Sequence, residues 1–325
     1  MFRMTNFSNT TLTKNFTIMT KVLVATEKPF AKTAVEGIRK IVEDAGFELA
    51  LLEKYTDPND LVKAVTDADA LIVRSDKVTK EVVDAAKKLK IVVRAGAGYD
   101  NLDLAACSAK GIVAMNTPGQ NSNAVAELAI GLMIYMARNL FQPGTGTEIS
   151  GKKLGIHAYG NVGKLVAKYG KGFGMAVCAF DPFVSKDEME KDGVKAVDSI
   201  DTLYSKCDYV SLHIPANDKT KKSIGYELLS KMPKGATLIN TARKEVIDEE
   251  GLKKALAERP DLKYATDIMP DCHAELVEKF PGRVFATPKK MGAETAEANV
   301  NAGLAAARQI VAFIKNGDKT FQVNK

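Results

Sequence analysis

Tryptophan is absent from this chain of 325 residues, and aromatic side chains make up only 7% of it. Those present do not interleave with the basic residues, so a base-stacking nucleic-acid surface is excluded. Cysteine is scarce. Cys107, Cys178, Cys207 and Cys272 share no metal-ligand spacing and suggest no disulfide framework, which makes a reducing cytoplasm the expected compartment. No apolar run is long enough to cross about 30 Å of hydrocarbon, so no membrane partner is expected. The longest run, Ala124 to Ala137, is interrupted by Glu127 and reads as a buried helix. Neither sign of charge dominates: 46 Lys and Arg face 40 Asp and Glu, a net +6 spread along the chain that favours small anions over a polyanion.

Residues 1–20 stand apart, rich in Thr and Asn, with Arg3 and Lys14 as their only charges and Met19 as an in-frame alternative start. They are expected to be a disordered extension outside the fold. The remaining length suits two domains, each with its own core. From Lys21 short apolar runs alternate with helical spacing: Val22–Ala25, Glu48–Leu52, Ala70–Val73 and Ile91–Arg94 as strands, 31–45, 61–65 and 80–89 as helices. Alternation of this kind means parallel strands joined by crossovers, with ligands at the strands' carboxyl ends. Those ends carry Arg74-Ser75 and the turn Gly96-Ala97-Gly98, whose close backbone suits an anion as readily as a tight turn.

A second alternating unit starts near Leu154. The strand Leu154–His157 runs into Ala158-Tyr159-Gly160-Asn161-Val162-Gly163, then a helix, then a strand over 176–180 that ends at Asp181-Pro182. Close glycines, a helix N-terminus and an acid about 20 residues on form the dinucleotide fingerprint. Asp181 would repel a 2′-phosphate, so NAD is the expected cofactor. Ala158 replaces the first glycine, which puts a Cβ into the tight turn. Later strands end in His213-Ile214-Pro215, Thr241-Ala242-Arg243 and Asp267 on the side where the cofactor would lie, and Thr220 follows the first of them. His213 is read as a contact, not as a catalyst.

The segments 94–103, Asn116-Thr117-Pro118, Ala126-Glu127, the glycine turn with Asp181, 240–243 and Thr287-Pro288 together resemble the D-isomer-specific 2-hydroxyacid dehydrogenases, over about residues 21–325. The resemblance implies an α/β protein of two doubly wound parallel sheets. A Rossmann-like NAD domain, 118–297, would be inserted in a flavodoxin-like substrate domain, 21–117 plus 298–325. It further implies a homodimer through the 125–139 helix and an active site in the interdomain cleft. Arg243 would hold the substrate carboxylate. Where the family has its proton-transferring histidine this chain has Lys290, aligned through Gly292, and a lysine can act as base when burial and nearby cations lower its pKa. The family's orienting glutamate is missing, leaving Asp271, His273 or Glu275 in question, with His273 as an alternative acid–base group.

Asp267 would contact the nicotinamide carboxamide. Short family members with such a lysine act on 3-phosphoglycerate at the first step of serine biosynthesis, so a small phosphorylated anion is the expected substrate. Arg74, Lys28, Lys54 and Arg94 are candidate phosphate cations, Asn121-Ser122-Asn123 at the domain crossing could supply hydrogen bonds, and Ser75 and Asn123 are expected substrate contacts. The chain ends soon after a closing helix over 302–315, so no appended serine-sensing domain is expected. Alternative expectations are a hydroxypyruvate or glyoxylate reductase, or an NAD-sensing binding protein without turnover.

Overall fold

The computed structural model describes residues 19–324. The expectation for residues 1–20 therefore falls, apart from Met19 and Thr20, outside the described residues. Among the described residues twelve strands form two sheets: β1 (Lys21–Thr26), β2 (Glu48–Glu53), β3 (Ala70–Val73), β4 (Ile91–Arg94), β5 (Val113–Asn116), β6 (Lys153–His157), β7 (Ala176–Phe180), β8 (Lys195–Ala196), β9 (Tyr209–Leu212), β10 (Thr237–Asn240), β11 (Lys263–Thr266) and β12 (Val284–Ala286). The first sheet has the order β2-β1-β3-β4-β5, the flavodoxin-like winding. The second has the order β12-β11-β10-β9-β6-β7-β8, the dinucleotide-binding winding extended by one strand. Every strand pair is parallel. β3, β9 and β10 are buried along their whole length, as parallel strands covered by helices on both faces must be.

The last helix, Ala296–Asn316, returns to the first sheet and packs on the Lys32–Asp44 helix. Small residues allow the approach. A Cβ at Gly303 would lie 3.0 Å from Ile38 Cδ1, and one at Gly37 would lie 2.5 Å from Leu304 Cδ2. This helix starts earlier than the apolar spacing indicated because Thr295 caps it, its hydroxyl accepting from Ala298 N–H at 3.1 Å. Gly317, with φ of 70°, closes it. Asn324 then bonds Ala114 N–H and Ile112 C=O, both at 2.8 Å, tying the tail to β5.

The Ser122–Ala137 helix is apolar nearly all round. Ala126, Ala129, Ile130, Met133 and Met136 are buried in the second sheet's core, while Leu128 and Ile134 are only half buried. It begins three residues before the expected 125–139 span and ends two residues short of it. The helix expected over 80–89 stops at Ala85. Leu89 must turn into the core, where it is 7% exposed, and Lys90 N–H must reach Asp69 C=O to start β4. Among the described residues no helix is long and apolar enough to cross a membrane.

Candidate active site

The carboxyl ends of both sheets face one cleft of about 560 Å³. The first sheet contributes Ser75 after β3 and Arg94, Ala97, Gly98, Asp100 and Asn101 at and after β4. The second contributes Val162, His213–Pro215 after β9, Thr241–Arg243 after β10, and Lys290 and Gly292 after β12. β6 and β9 flank the point where the strand order reverses, the expected place for a dinucleotide.

On the β6 side the turn has the required shape. Ala158 takes φ of 79°, a left-handed conformation that costs an alanine what it would not cost a glycine. Gly160 has open space where a Cβ would stand, a cradle that a pyrophosphate can enter. Gly163 has none: a Cβ there would run into the Ala158 carbonyl oxygen, and Ile156 stands 3.0 Å away. Asp181 is locked by two backbone donors, Tyr159 N–H at 2.7 Å and Phe183 N–H at 2.8 Å. The Tyr159 side chain turns inward, its hydroxyl 2.9 Å from Asp192.

Unsatisfied groups lie at the opposite side of the cleft and, for Asp267, just behind its lining residue Gly292. Asp267 is fully buried at the end of β11; its Oδ2 accepts from Gly292 N–H at 2.7 Å, while its Oδ1 has no partner. Burial holds this carboxyl above the ordinary carboxylate range, against the opposing pull of Gly292 N–H and Lys290. His213 Nε2 and Thr241 Oγ1 are likewise buried without partners. Burial, and then His157, hold His213 down to about 3, so its ring is neutral. Unpaired buried polar atoms at a strand end fit a ligand that carries amide and hydroxyl groups.

Arg243, half buried after β10, reaches across to the first sheet: a Cβ at Gly98 would lie 3.0 Å from its Nη2. Asn240 braces this loop by donating to Arg243 C=O at 2.9 Å and accepting from Ala242 N–H at 3.0 Å. Arg94 lies over Gly96, whose φ of 153° and missing Cβ leave room for the guanidinium, and its Nε donates to Arg74 C=O at 3.0 Å. Burial lowers the Arg94 pKa, and Arg243 and Arg74 lower it further. Lys290 stays accessible to water from the open mouth of the cleft, yet protein closes around it on the inner side. That partial burial, then Arg243, holds its ammonium below the usual lysine range, with Asp267 opposing. Thr287, donating to Lys289 C=O at 2.7 Å, fixes the loop that carries it.

Several expected residues lie elsewhere. The Arg74 guanidinium is occupied by Lys28 C=O at 3.0 Å, Pro29 C=O at 3.3 Å and the Asn299 side chain, and it lies over the Phe30 ring. Asn123 bonds Glu127 at 2.7 Å and Tyr169, leaving Asn121 to line the cleft. Thr220 Oγ1 donates to Pro215 C=O at 2.5 Å as a loop staple, and Pro182 is exposed beyond β7. None of Asp271, His273 and Glu275 lines the cleft. Asp271 pairs with Lys244 at 2.6 Å, in a concavity of about 610 Å³ on the outer surface, and Glu275 pairs with Lys253 and Lys279. Asp100 was missed, although it sits in the Gly-rich segment that the resemblance rests on.

Residues 134–283 match the family described as D-isomer specific 2-hydroxyacid dehydrogenase, NAD binding domain. The chain is 37% identical over 310 residues to a D-3-phosphoglycerate dehydrogenase of Methanocaldococcus jannaschii, covering 90% of this chain and 57% of that protein. It is 36% identical over 281 residues to a hydroxypyruvate reductase of Thermotoga maritima, covering 81% and 90%. Among solved structures, the NAD+-bound 3-phosphoglycerate dehydrogenase of Entamoeba histolytica is 50% identical with a TM-score of 0.85, covering 94% of this chain and 99% of that one. This chain thus spans little more than half the length of the archaeal relative. By these likenesses and by its two parallel-sheet α/β domains, it belongs to the D-isomer-specific 2-hydroxyacid dehydrogenases and carries their NAD-binding domain.

Proposed function

We propose that this chain catalyses NAD-dependent oxidation of D-3-phosphoglycerate at C2, the first step of serine biosynthesis. The observation that carries the reading is the convergence of Arg243, Arg94 and Lys290 on one cleft beside the unpaired Oδ1 of Asp267. NAD, when bound, accepts a hydride. Asp267 Oδ1 and Thr241 Oγ1 would hold its carboxamide end, Gly160 would admit the pyrophosphate, and Asp181 would meet the adenosine ribose. Arg243 would grip the substrate carboxylate with two parallel donors. Lys290 Nζ, in its neutral form, would take the C2 hydroxyl proton as the hydride leaves. The Gly96-Ala97-Gly98 backbone would support the carboxylate, and Arg94, rather than the occupied Arg74, would face the phosphate.

In this reading 21–117 plus 298–325 bind substrate, 118–297 bind the cofactor, and two copies associate through the half-buried face of the Ser122–Ala137 helix in the cytoplasm. A second reading, hydroxypyruvate reduction, is favoured by the likeness to the T. maritima protein, which this chain matches over most of that protein's length. The experiment follows NADH formation with D-3-phosphoglycerate, D-glycerate and D-lactate, and its consumption with hydroxypyruvate. A kcat/KM highest for the phosphorylated acid is expected; an equal or higher value for hydroxypyruvate transfers the assignment to the second reading. NAD binding without turnover of any acid overturns both.

A further inference from the structure

We propose that Cys178 and Cys207 form a modification site at which a hydroperoxide oxidises Cys178 and Cys207 then closes a reversible intrachain disulfide. The pair lies between the cofactor sheet and a helix that covers it, outside the cleft, and the proposal is independent of which acid the protein oxidises. Cys178 is in β7 and half buried; Cys207 follows the Ile200–Lys206 helix and is fully buried. Their sulfurs are 3.2 Å apart. Glycine in the neighbouring strand makes room for them, since a Cβ at Gly155 would lie 2.9 Å from Cys207 Sγ. Closing that separation to a bond of about 2.05 Å needs a shift of little more than 1 Å. Cys107 lies in the core of the other sheet and Cys272 beside Glu249, so the two remaining thiols have different surroundings.

The two sulfurs are electrostatically unlike. The hydrogen bond shared with Cys207, together with Lys195, Lys153 and Lys206, holds Cys178 below the usual thiol range. The same contact and burial push Cys207 up. Cys178 is thus the better thiolate and the one solvent reaches, as an attacking cysteine must be. Its sulfur attacks the hydroperoxide, the O–O bond breaks, and hydroxide or alkoxide leaves while the sulfur becomes a sulfenic acid. Cys207 sulfur then attacks that sulfur, the S–O bond breaks, and the Cys207 proton departs with the leaving oxygen as water. Two thiols are oxidised and one peroxide is reduced.

The test treats the full, freshly reduced chain with a few equivalents of hydrogen peroxide and follows intact mass and non-reducing peptide maps. The expected result is a loss of about 2 Da, one cross-linked peptide pair containing Cys178 and Cys207, and reversal by dithiothreitol. Cys207→Ala should leave a sulfenic acid on Cys178 that dimedone captures. The unmodified chain decides the matter even if that variant does not fold. Oxidation of Cys107 or Cys272 ahead of the pair overturns the proposal, as does a gain of about 32 Da on Cys178 with no cross-link.

Discussion

At the scale of single residues, Lys290 is the group to which the proposed reaction assigns proton transfer. Lys290→Ala is expected to lower kcat by roughly 10²–10⁴-fold, the usual contribution of a general base. NAD affinity, measured by fluorescence titration, should change little, because Lys290 is assigned to the proton and not to the cofactor. Only the neutral amine accepts a proton, so kcat/KM should rise with pH. Because burial and Arg243 lower the Lys290 pKa, the rise should level off below about 10.4, the ordinary lysine value. A plateau at or above that value would remove Lys290 from the role. Asp267 was picked out by its position at a strand end, Arg243 and Lys290 by the family resemblance, and the structure brings Arg243 and Lys290 to one cleft. Arg74, Asn123 and Thr220 were misread because sequence shows a donor but not what already occupies it: Lys28 and Pro29 carbonyls, Glu127, and Pro215.

At the scale of elements, the strand–turn–helix over 153–172 separates two kinds of glycine. Gly163→Ala drives a methyl against the Ala158 carbonyl, and a loss of about 1–3 kcal/mol is expected in urea unfolding. Gly160→Ala meets nothing, so stability should hold while NAD binding weakens. Ala158→Gly removes a left-handed alanine worth about 1–2 kcal/mol but loosens the unfolded chain by about 0.4–1 kcal/mol. The net expectation is a rise in stability of between about 0 and about 1.6 kcal/mol. Periodicity made this unit and its neighbours legible as elements. Their ends were not, because ends depend on caps such as Thr295 and on tertiary demands such as Leu89 turning into the core.

Across the whole molecule, the sheet that binds cofactor holds two neutral histidines, His157 buried in the core and His213 half buried at the cleft. Burial holds His157 near 4 and His213 near 3, both below the ordinary value of about 6.5. Between those values the unfolded chain binds more protons than the folded one. The stability from these groups is therefore fully present above about pH 6.5 and is lost as pH falls toward 4 and 3, on the order of a few kcal/mol. Urea midpoints of the ligand-free protein at pH 7 and pH 4.5 should show this drop, and the double variant His157→Gln, His213→Gln should flatten it. A midpoint difference unchanged in that variant would assign acid sensitivity to other groups.

Sequence alone determined the kind of chain this is. Apolar runs at strand length, helical spacing between them, and a glycine turn followed by Asp181 leave few alternatives to doubly wound sheets around a dinucleotide, because each is a local consequence of burial and backbone geometry. What only the tertiary structure decided is which polar groups remain free. Arg94, from one sheet, and Arg243 and Lys290, from the other, meet across a cleft some 150 to 200 residues apart in the chain. Whether a guanidinium there faces a ligand or a carbonyl depends on neighbours that no local pattern specifies.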